Sequence, residues 1–280
     1  FMGYPRLGHI NFLNCLPLSY SLRHDHFDKG MQVSWGVPAV LNNDIMNHRL
    51  DVSQVSSITY ARDSEDLVLL PDVCIRSDGK VQSLIIVSKK PLEDITDDKI
   101  ILTAKSATTH CLTKIIMRKL YGAQPNYYVR HVDPKEPVPG DAAAMLLIGD
   151  DALYVYHHKK PEYYYYDIGE LWYKLTGRFM VFAVWVANRQ FAAEQPELLQ
   201  LVYDRVTRGF RNGQAKMDQV IRSVLDEKPF TYEELDEYLR VIQWDFREEH
   251  YENLLTFYRL AHELNLIDHL PELSIASVCR

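Results

Sequence analysis

What this chain lacks narrows its role first. Its four cysteines, Cys15, Cys74, Cys111 and Cys279, stand far apart and make no C-x-x-C pair. Reduced thiols are therefore expected, and neither a disulfide framework nor a zinc site. Apolar runs such as Met180 to Ala187 fall far short of the roughly 20 residues a membrane span needs. Positive charge is in deficit, with 31 Lys and Arg against 38 Asp and Glu and a net charge of −7. That balance gives no electrostatic case for a nucleic-acid partner. The sequence has no internal repeat, low-complexity tract or Gly/Ser linker. It also lacks the G-x-G-x-x-G, P-loop, H-E-x-x-H and G-x-S-x-G patterns of nucleotide, metal and serine-hydrolase chemistry. His157 and His158 are adjacent and would face different ways on a helix, beside Lys159 and Lys160. No metal and no cofactor is expected.

Length and composition describe a globular protein. At 280 residues, with 47% hydrophobic and 25% charged residues, the chain can bury two lobes of ordinary size or one large domain. Pro5 to His9 leads directly into strand-like sequence without the charged and apolar regions of a signal peptide. Phe1 before Met2 reads as a remnant ahead of the natural start, and a cytoplasmic location is expected.

Three segments carry the strongest signal. His9 to Cys15, Asp51 to Ser57 and Ile101 to Thr109 each run from apolar, strand-like sequence into small hydroxyl or amide residues. A helical pattern follows each, so each marks a helix start. Unpaired N–H groups and the positive end of the helix dipole favour anions there. Three such starts converging would suit a small molecule with more than one carboxylate.

Strand-like and helix-like stretches alternate through the first two thirds, the pattern of an α/β chain with mainly parallel sheets. Strands are expected at 6–12, 31–37, 51–55, 67–75, 81–88, 99–103, 126–132, 143–148, 163–167 and 179–187. Helices are expected at 16–24, 38–49, 56–63, 107–121 and 150–156, with Pro38 in a first turn and Gly122 as a C-cap. From Gln195 onward four amphipathic helices follow, one opened by the capping-box pattern Thr231 to Glu234. The stretches 81–88 and 179–186 lack a compact βαβ partner. They bracket a second lobe of 87–185, leaving a discontinuous first lobe of 1–86 plus 186–280 joined by two crossings. A ligand would then sit in a cleft between lobes.

Each candidate residue has a structural reading beside the functional one. Asn14, at the end of the first strand, either caps the helix from Leu16 or meets a ligand. Ser56, Ser57, Thr108 and Thr109 are caps by default, although paired hydroxyls leave one over. Asp150 and Asp151 suit an N-cap, and the strand-end position also turns them toward a ligand. Ser83 is an isolated hydroxyl in an apolar strand. Cys15, at a helix start where a thiol pKa falls, is read as packing. The Tyr163 to Tyr166 run reads as strand residues packing both faces.

An ordered set of motifs then becomes visible. It comprises Gly8 to Pro17, Val37-Pro38 with Leu41-Asn42, Asp51 through Ser56-Ser57 to Arg62, and Leu70-Pro71-Asp72 with Ser77-Asp78-Gly79. Ser106 to Thr109, Leu147 to Leu153 and Phe182 to Trp185 complete it. Together they resemble the chorismate dehydratases of the futalosine route to menaquinone, over about residues 6 to 190. The resemblance implies a two-lobed, type II periplasmic-binding-protein-like fold with a helix-rich C-terminal third. It implies chorismate as substrate and 3-[(1-carboxyvinyl)oxy]benzoate as product. Asn14 would be catalytic, and Ser56, Ser57, Ser83, Ser106, Thr108, Thr109 and Asp150 would bind substrate. The sister enzyme that cleaves cyclic dehypoxanthine futalosine is similar near Ser56 and Thr108-Thr109. It departs at the first motif, and its catalytic histidine would fall near Gly149-Asp150, where this chain has none.

The chemistry follows from the substrate. Loss of the C3 proton and the C4 hydroxyl makes the ring aromatic. The carbanion at C3 delocalises through the C1–C2 double bond onto the ring carboxylate, which fixed donors would stabilise. Apart from Lys105, the segments offer no obvious base, so the substrate's own enolpyruvyl carboxylate is a candidate for the proton. A non-catalytic carboxylate-binding or sensing protein remains the alternative class. A homodimer through the aromatic C-terminal helices is open.

Overall fold

The computed structural model describes residues 3–103, 106–136 and 138–280. It is an α/β protein with two mixed sheets. In chain order the elements are β1 (Arg6–Ile10), α1 (Leu16–His24), β2 (Gln32–Gly36), α2 (Pro38–Met46), β3 (Val52–Ser56) and α3 (Ser57–Arg62). There follow β4 (Leu67–Ser77), β5 (Leu84–Ser88), β6 (Lys99–Leu102), α4 (Ala107–Lys119), β7 (Asn126–Val129), β8 (Ala144–Ile148) and α5 (Gly149–His157). The rest are β9 (Tyr164–Asp167), α6 (Ile168–Thr176), β10 (Met180–Asn188), α7 (Arg189–Glu194), α8 (Pro196–Ala215), α9 (Met217–Arg222), α10 (Tyr232–Val241), β11 (Ile242–Gln243) and α11 (Glu248–Glu263). The sequence expectation missed α6, α7 and β11.

The chain divides into two compact units. Unit one holds residues 1–76, 181–252 and 269–280; unit two holds 77–180 and 253–268. The boundaries read from sequence differ: 77–86 lies in unit two and 181–185 in unit one. Four crossings replace the expected two, because the later part of α11 joins unit two. Packing explains this, since Phe257 meets the fully buried Trp172 of α6 edge to face at 5.9 Å. Lys119 at the end of α4 pairs with Glu263 at 2.7 Å.

Unit one is built on a six-stranded sheet of order β11-β4-β10-β3-β1-β2. β1 pairs in parallel with β2 and β3, and β10 runs antiparallel beside β3. Unit two has a five-stranded sheet of order β7-β6-β8-β5-β9. There β6 pairs in parallel with β7 and β8, while β5 is antiparallel to both β8 and β9. The two orphan stretches of the sequence are thus β5 and β10, each of which runs antiparallel to a strand of its sheet's parallel set. Each sheet keeps two of the expected parallel pairings and adds antiparallel pairing beside them.

The core of unit one includes Leu7, Leu18, Ile45, Val55, Ile58 and Trp185, all fully buried. That of unit two gathers Ile85, Val87, Ile101, Met145, Leu147 and Ala152. α1 is clamped onto unit one by α8. A Cβ at Gly213 would lie 2.3 Å from the Pro17 carbonyl, so only glycine permits this approach. Ser21 Oγ donates to the Gly209 carbonyl at 2.6 Å within the same contact. The C-cap of α4 is Leu120 and not the expected Gly122, which adopts φ 65° two residues further on, with its N–H on the Arg118 carbonyl at 3.1 Å. The Thr231–Glu234 capping box is formed in both directions.

Candidate active site

In unit one, the carboxyl ends of β1 and β3 lie side by side in parallel register, Gly8 opposite Ser53. After β1 the chain makes a single 3-10 turn, Leu13–Cys15, before α1. Asn14 sits in that turn and does not cap α1; the N-cap is Cys15, and its side chain makes no cap bond. Instead Asn14 is held from two sides. Trp244 Nε1 donates to its carbonyl at 2.8 Å, and the Cys15 thiol donates to its Oδ1 at 3.1 Å. Cys15 is fully buried, and burial pushes its thiol up to about 12, against the lowered value that a helix start alone suggests. The thiol is buried, as the packing reading expects, and also makes a hydrogen bond that the sequence did not disclose.

Ser56 is the N-cap residue of α3, yet its side chain makes no cap bond. Its Oγ lies 3.2 Å from Thr59 Oγ1, which also accepts from Asn42 Nδ2 at 3.3 Å. Asn42 Oδ1 makes no hydrogen bond among the described residues. Asn42 belongs to the resembling motif set but was not singled out; a polar residue on the inner face of α2 was the available signal. α3 spans only six residues, too short for a developed helix dipole, so what Ser56 could offer a ligand is its hydroxyl. Ser57 is fully buried.

Beneath these residues runs a row of side chains on one face of the sheet. Trp35 lies opposite His9 and Trp185 opposite Gln54, with His9 one step beyond the Gly8–Ser53 pair. His9 is fully buried, shares a hydrogen bond between its Nε2 and the Ser19 hydroxyl at 2.8 Å and packs edge-on to Trp35 at 4.6 Å. Desolvation, and then the charge of Arg23, pushes His9 down to about 3. The ring is therefore neutral at physiological pH.

In unit two, β6 and β8 run parallel, with Leu102 opposite Leu146, so their following helices start at one edge of the sheet. Ser106 is the N-cap of α4; its Oγ accepts from Thr109 N at 3.3 Å and Thr109 Oγ1 at 2.9 Å. Thr108 and Thr109, expected as caps, lie in the first turn and are buried. Lys105, with Ala104, lies outside the described residues. Asp150 and Asp151 likewise do not cap α5. The N-cap is Ile148, and both acids fall in the first turn, where they complement the helix dipole. Gly149 makes the turn at φ 63°, its N–H donating to the Ser83 carbonyl at 2.8 Å. The structure thus brings Ser83 beside Gly149-Asp150. Ser83 itself is buried, just before β5.

The loop before Ser83 is fixed by a residue that sequence reading passed over. The Asp167 carboxylate accepts from Val81 N at 3.0 Å, Gln82 N at 2.7 Å, Gly169 N at 2.9 Å and Glu170 N at 3.3 Å. Burial raises its pKa despite these donors, which pull the other way. Gln82 is held at φ 65° with Oε1 buried and unpartnered among the described residues. The available signal was Asp167 just ahead of Ile168-Gly169-Glu170, an N-cap pattern hidden by the tyrosine run.

Of the candidates, Asn14, Ser56, Ser106 and Asp150 are partly exposed, whereas Ser57, Ser83, Thr108 and Thr109 are buried. Among the described residues no group of three or more His, Cys, Asp or Glu could hold a metal ion, and no helix is long and apolar enough to cross a membrane. A cavity of about 200 Å³ in unit two, lined by Lys135, Tyr154, His158, Lys160 and Tyr165 among others, contains none of the candidates.

The architecture is that of the periplasmic binding proteins. Protein AF1704 from Archaeoglobus fulgidus matches with a TM-score of 0.73 at 14% identity, over 94% of this chain and 98% of that one. The periplasmic aliphatic sulphonate binding protein SsuA from Escherichia coli matches with a TM-score of 0.68 at 14% identity, over 98% and 91%. These likenesses concern the fold alone. A family model described as menaquinone biosynthesis matches residues 5–263, and the chain belongs to that family. Chorismate dehydratase from Thermus thermophilus is 31% identical over 198 residues, 66% of this chain and 70% of that protein.

Proposed function

We propose that the chain is a carbon–oxygen lyase that removes water from chorismate to give 3-[(1-carboxyvinyl)oxy]benzoate, in the cytoplasm, on the futalosine route to menaquinone. The observation that carries this reading is the 31% identity to the Thermus thermophilus chorismate dehydratase. The geometry supports it by placing the small polar side chains of Asn14, Ser56 and Ser106, each partly exposed, between a strand and the helix that follows.

Asn14 is assigned to the C4 hydroxyl. With Oδ1 taken by Cys15, its Nδ2 is the group that donates to the departing oxygen. In unit one, Ser56 is assigned to a substrate carboxylate through its hydroxyl. In unit two, Ser106 and the first turn of α4 are assigned to a carboxylate, with Asp150 as a further contact. Buried Ser57, Ser83, Thr108 and Thr109 hold these groups in place. A donor on the ring carboxylate lowers the barrier to C3 deprotonation, by about 3 kcal/mol where geometry is good.

The base is the substrate's own enolpyruvyl carboxylate, close to C3 within one molecule. The protein then supplies position and polarity. The test is incubation of purified protein with chorismate, with product followed by chromatography and ultraviolet absorbance. An aromatic product retaining the enolpyruvyl group is expected; chorismate bound and recovered unchanged overturns the reading. In the same assay Asp150→Asn should lower kcat by less than about tenfold, since a general base contributes more than that. A larger loss, with chorismate affinity intact, assigns the base to Asp150.

A further inference from the structure

The polar groups behind Asn14 form a chain that continues inward. Gln54, mid-strand in β3, is buried at 2% exposure, and Cys15 at 0%. Gln54 Nε2 donates to Cys15 Sγ at 3.1 Å, and the thiol lies 3.1 Å from Asn14 Oδ1. A thiol has one proton to give. Its two possible acceptors are Asn14 Oδ1 at 3.1 Å and Gln54 Oε1 at 3.3 Å. With the Gln54 amide N–H on the sulfur, the nearer oxygen, on Asn14, receives that proton.

We propose that Gln54 and Cys15 are positioning residues for the reaction. Their relay, Gln54 N–H to sulfur and S–H to Asn14 Oδ1, fixes the Asn14 amide so that it presents Nδ2 as a donor. The proposal rests on the assignment of Asn14 to substrate above.

Three observations give the relay its direction and stiffness. The backbone of Asn14 is pinned independently, by Trp244 on its carbonyl and by the turn bond from Cys15 N to the Phe12 carbonyl at 2.9 Å. Only the side-chain torsions are left for the relay to set. Cys15 stays protonated in its apolar surroundings, so it remains a donor through the neutral range. The opposite network, with Asn14 Nδ2 donating to sulfur and the thiol turned to Gln54 Oε1, would present an acceptor instead. A departing hydroxyl gains electron density and takes stabilisation from a donor, not from an acceptor.

The experiment measures kcat, KM and Tm on chorismate for wild-type protein, Cys15→Ala, Cys15→Ser and Gln54→Met. It also records the Asn14 side-chain amide signals by 15N NMR, assigned by their loss in Asn14→Asp. Cys15→Ala should lower kcat roughly fivefold, as expected when one hydrogen bond of about 1 kcal/mol is lost. KM should stay within about twofold, and Cys15→Ser, which keeps a donor, should regain most of the loss. Gln54→Met should resemble Cys15→Ala. The Asn14 amide signals should shift or broaden in Cys15→Ala and return toward wild type in Cys15→Ser. Equal impairment of the Ala and Ser variants, or a Cys15→Ala variant as fast as wild type, overturns the relay. If wild-type protein leaves chorismate unchanged, the dehydratase reading fails and the NMR decides the relay alone. Asn14 signals indifferent to Cys15→Ala would then overturn it, and a shift restored by serine would sustain it.

Discussion

The two units share a strand plan and differ in how they use polar side chains at its carboxyl edge. The order β2-β1-β3-β10 of unit one repeats as β7-β6-β8-β5 in unit two, two parallel pairings followed by an antiparallel strand. In unit two the hydroxyl of Ser106 is engaged on its own helix, and Asp167 ties the loop before Ser83 to the start of α6 through four backbone donors, two from each. In unit one neither Cys15 nor Ser56 caps with its side chain. There side chains are held by other side chains: Asn14 by Cys15, Ser56 by Thr59, His9 by Ser19. At these positions the polar side chains of unit two bond mainly to backbone, and those of unit one to other side chains.

Four measurements break or sharpen that contrast. Removing the aimed group should hurt turnover and spare the fold: Asn14→Ala is expected to lower kcat by roughly 100-fold or more, with an unchanged melting temperature. A melting temperature that falls with activity would make Asn14 a structural residue. Removing the locking group should do the reverse. Asp167→Ala strands buried N–H groups and should cost about 3 kcal/mol of stability in urea unfolding; a loss below about 1 kcal/mol would show that the loop needs no lock.

The third measurement concerns pH. His9 is held neutral when folded, with a pKa pushed down to about 3, while the unfolded chain takes up a proton near pH 6.5. The unfolded state therefore binds more protons between these values. The stability present above pH 6.5 is lost as pH falls through it toward 3, by about 2 kcal/mol at pH 5. Urea unfolding at pH 7.5 and 5.0 should show this drop in wild-type protein and a smaller one in His9→Gln. Equal drops would place the acid sensitivity elsewhere. The smallest effect compares two serines. Ser106→Ala should cost about 1 kcal/mol as a lost cap, and Ser56→Ala, whose hydroxyl caps nothing, clearly less. Equal costs would erase the distinction between the units.

Much of the scaffold was legible because its strands are short apolar runs ending in small polar residues, which Ile148 to Asp150 and Val55 to Ser57 display plainly. α6 was hidden because Tyr163 to Tyr166 announces a strand and the helix opens on Ile168-Gly169, with a weak helix former at the second position. β11, two residues long, has no periodicity to read. At the candidate site, residue type was legible and role was not. Serines, threonines and acids next to a helix start all look like caps, and only coordinates show that Ser106 caps while Asn14, Asp150 and Thr108 do not. Gln54 gave no warning, because its partner Cys15 lies 39 positions away, and Asp167 showed at most its local cap pattern, not its bonds to Val81 and Gln82 across 86 and 85 positions.

The four crossings carry a practical consequence for anyone dissecting this protein. Residues 77–180 contain all of sheet two, so they look like a piece that could be expressed alone. That fragment would lack the later part of α11 and leave the indole of Trp172 without its Phe257 cover. No single cut of the gene yields either unit whole. A circular permutant that brings 253–268 next to 77–180, or co-expression of the two pieces, is the route to unit two in isolation. Deletion series read from the ends would instead report the loss of a shared helix.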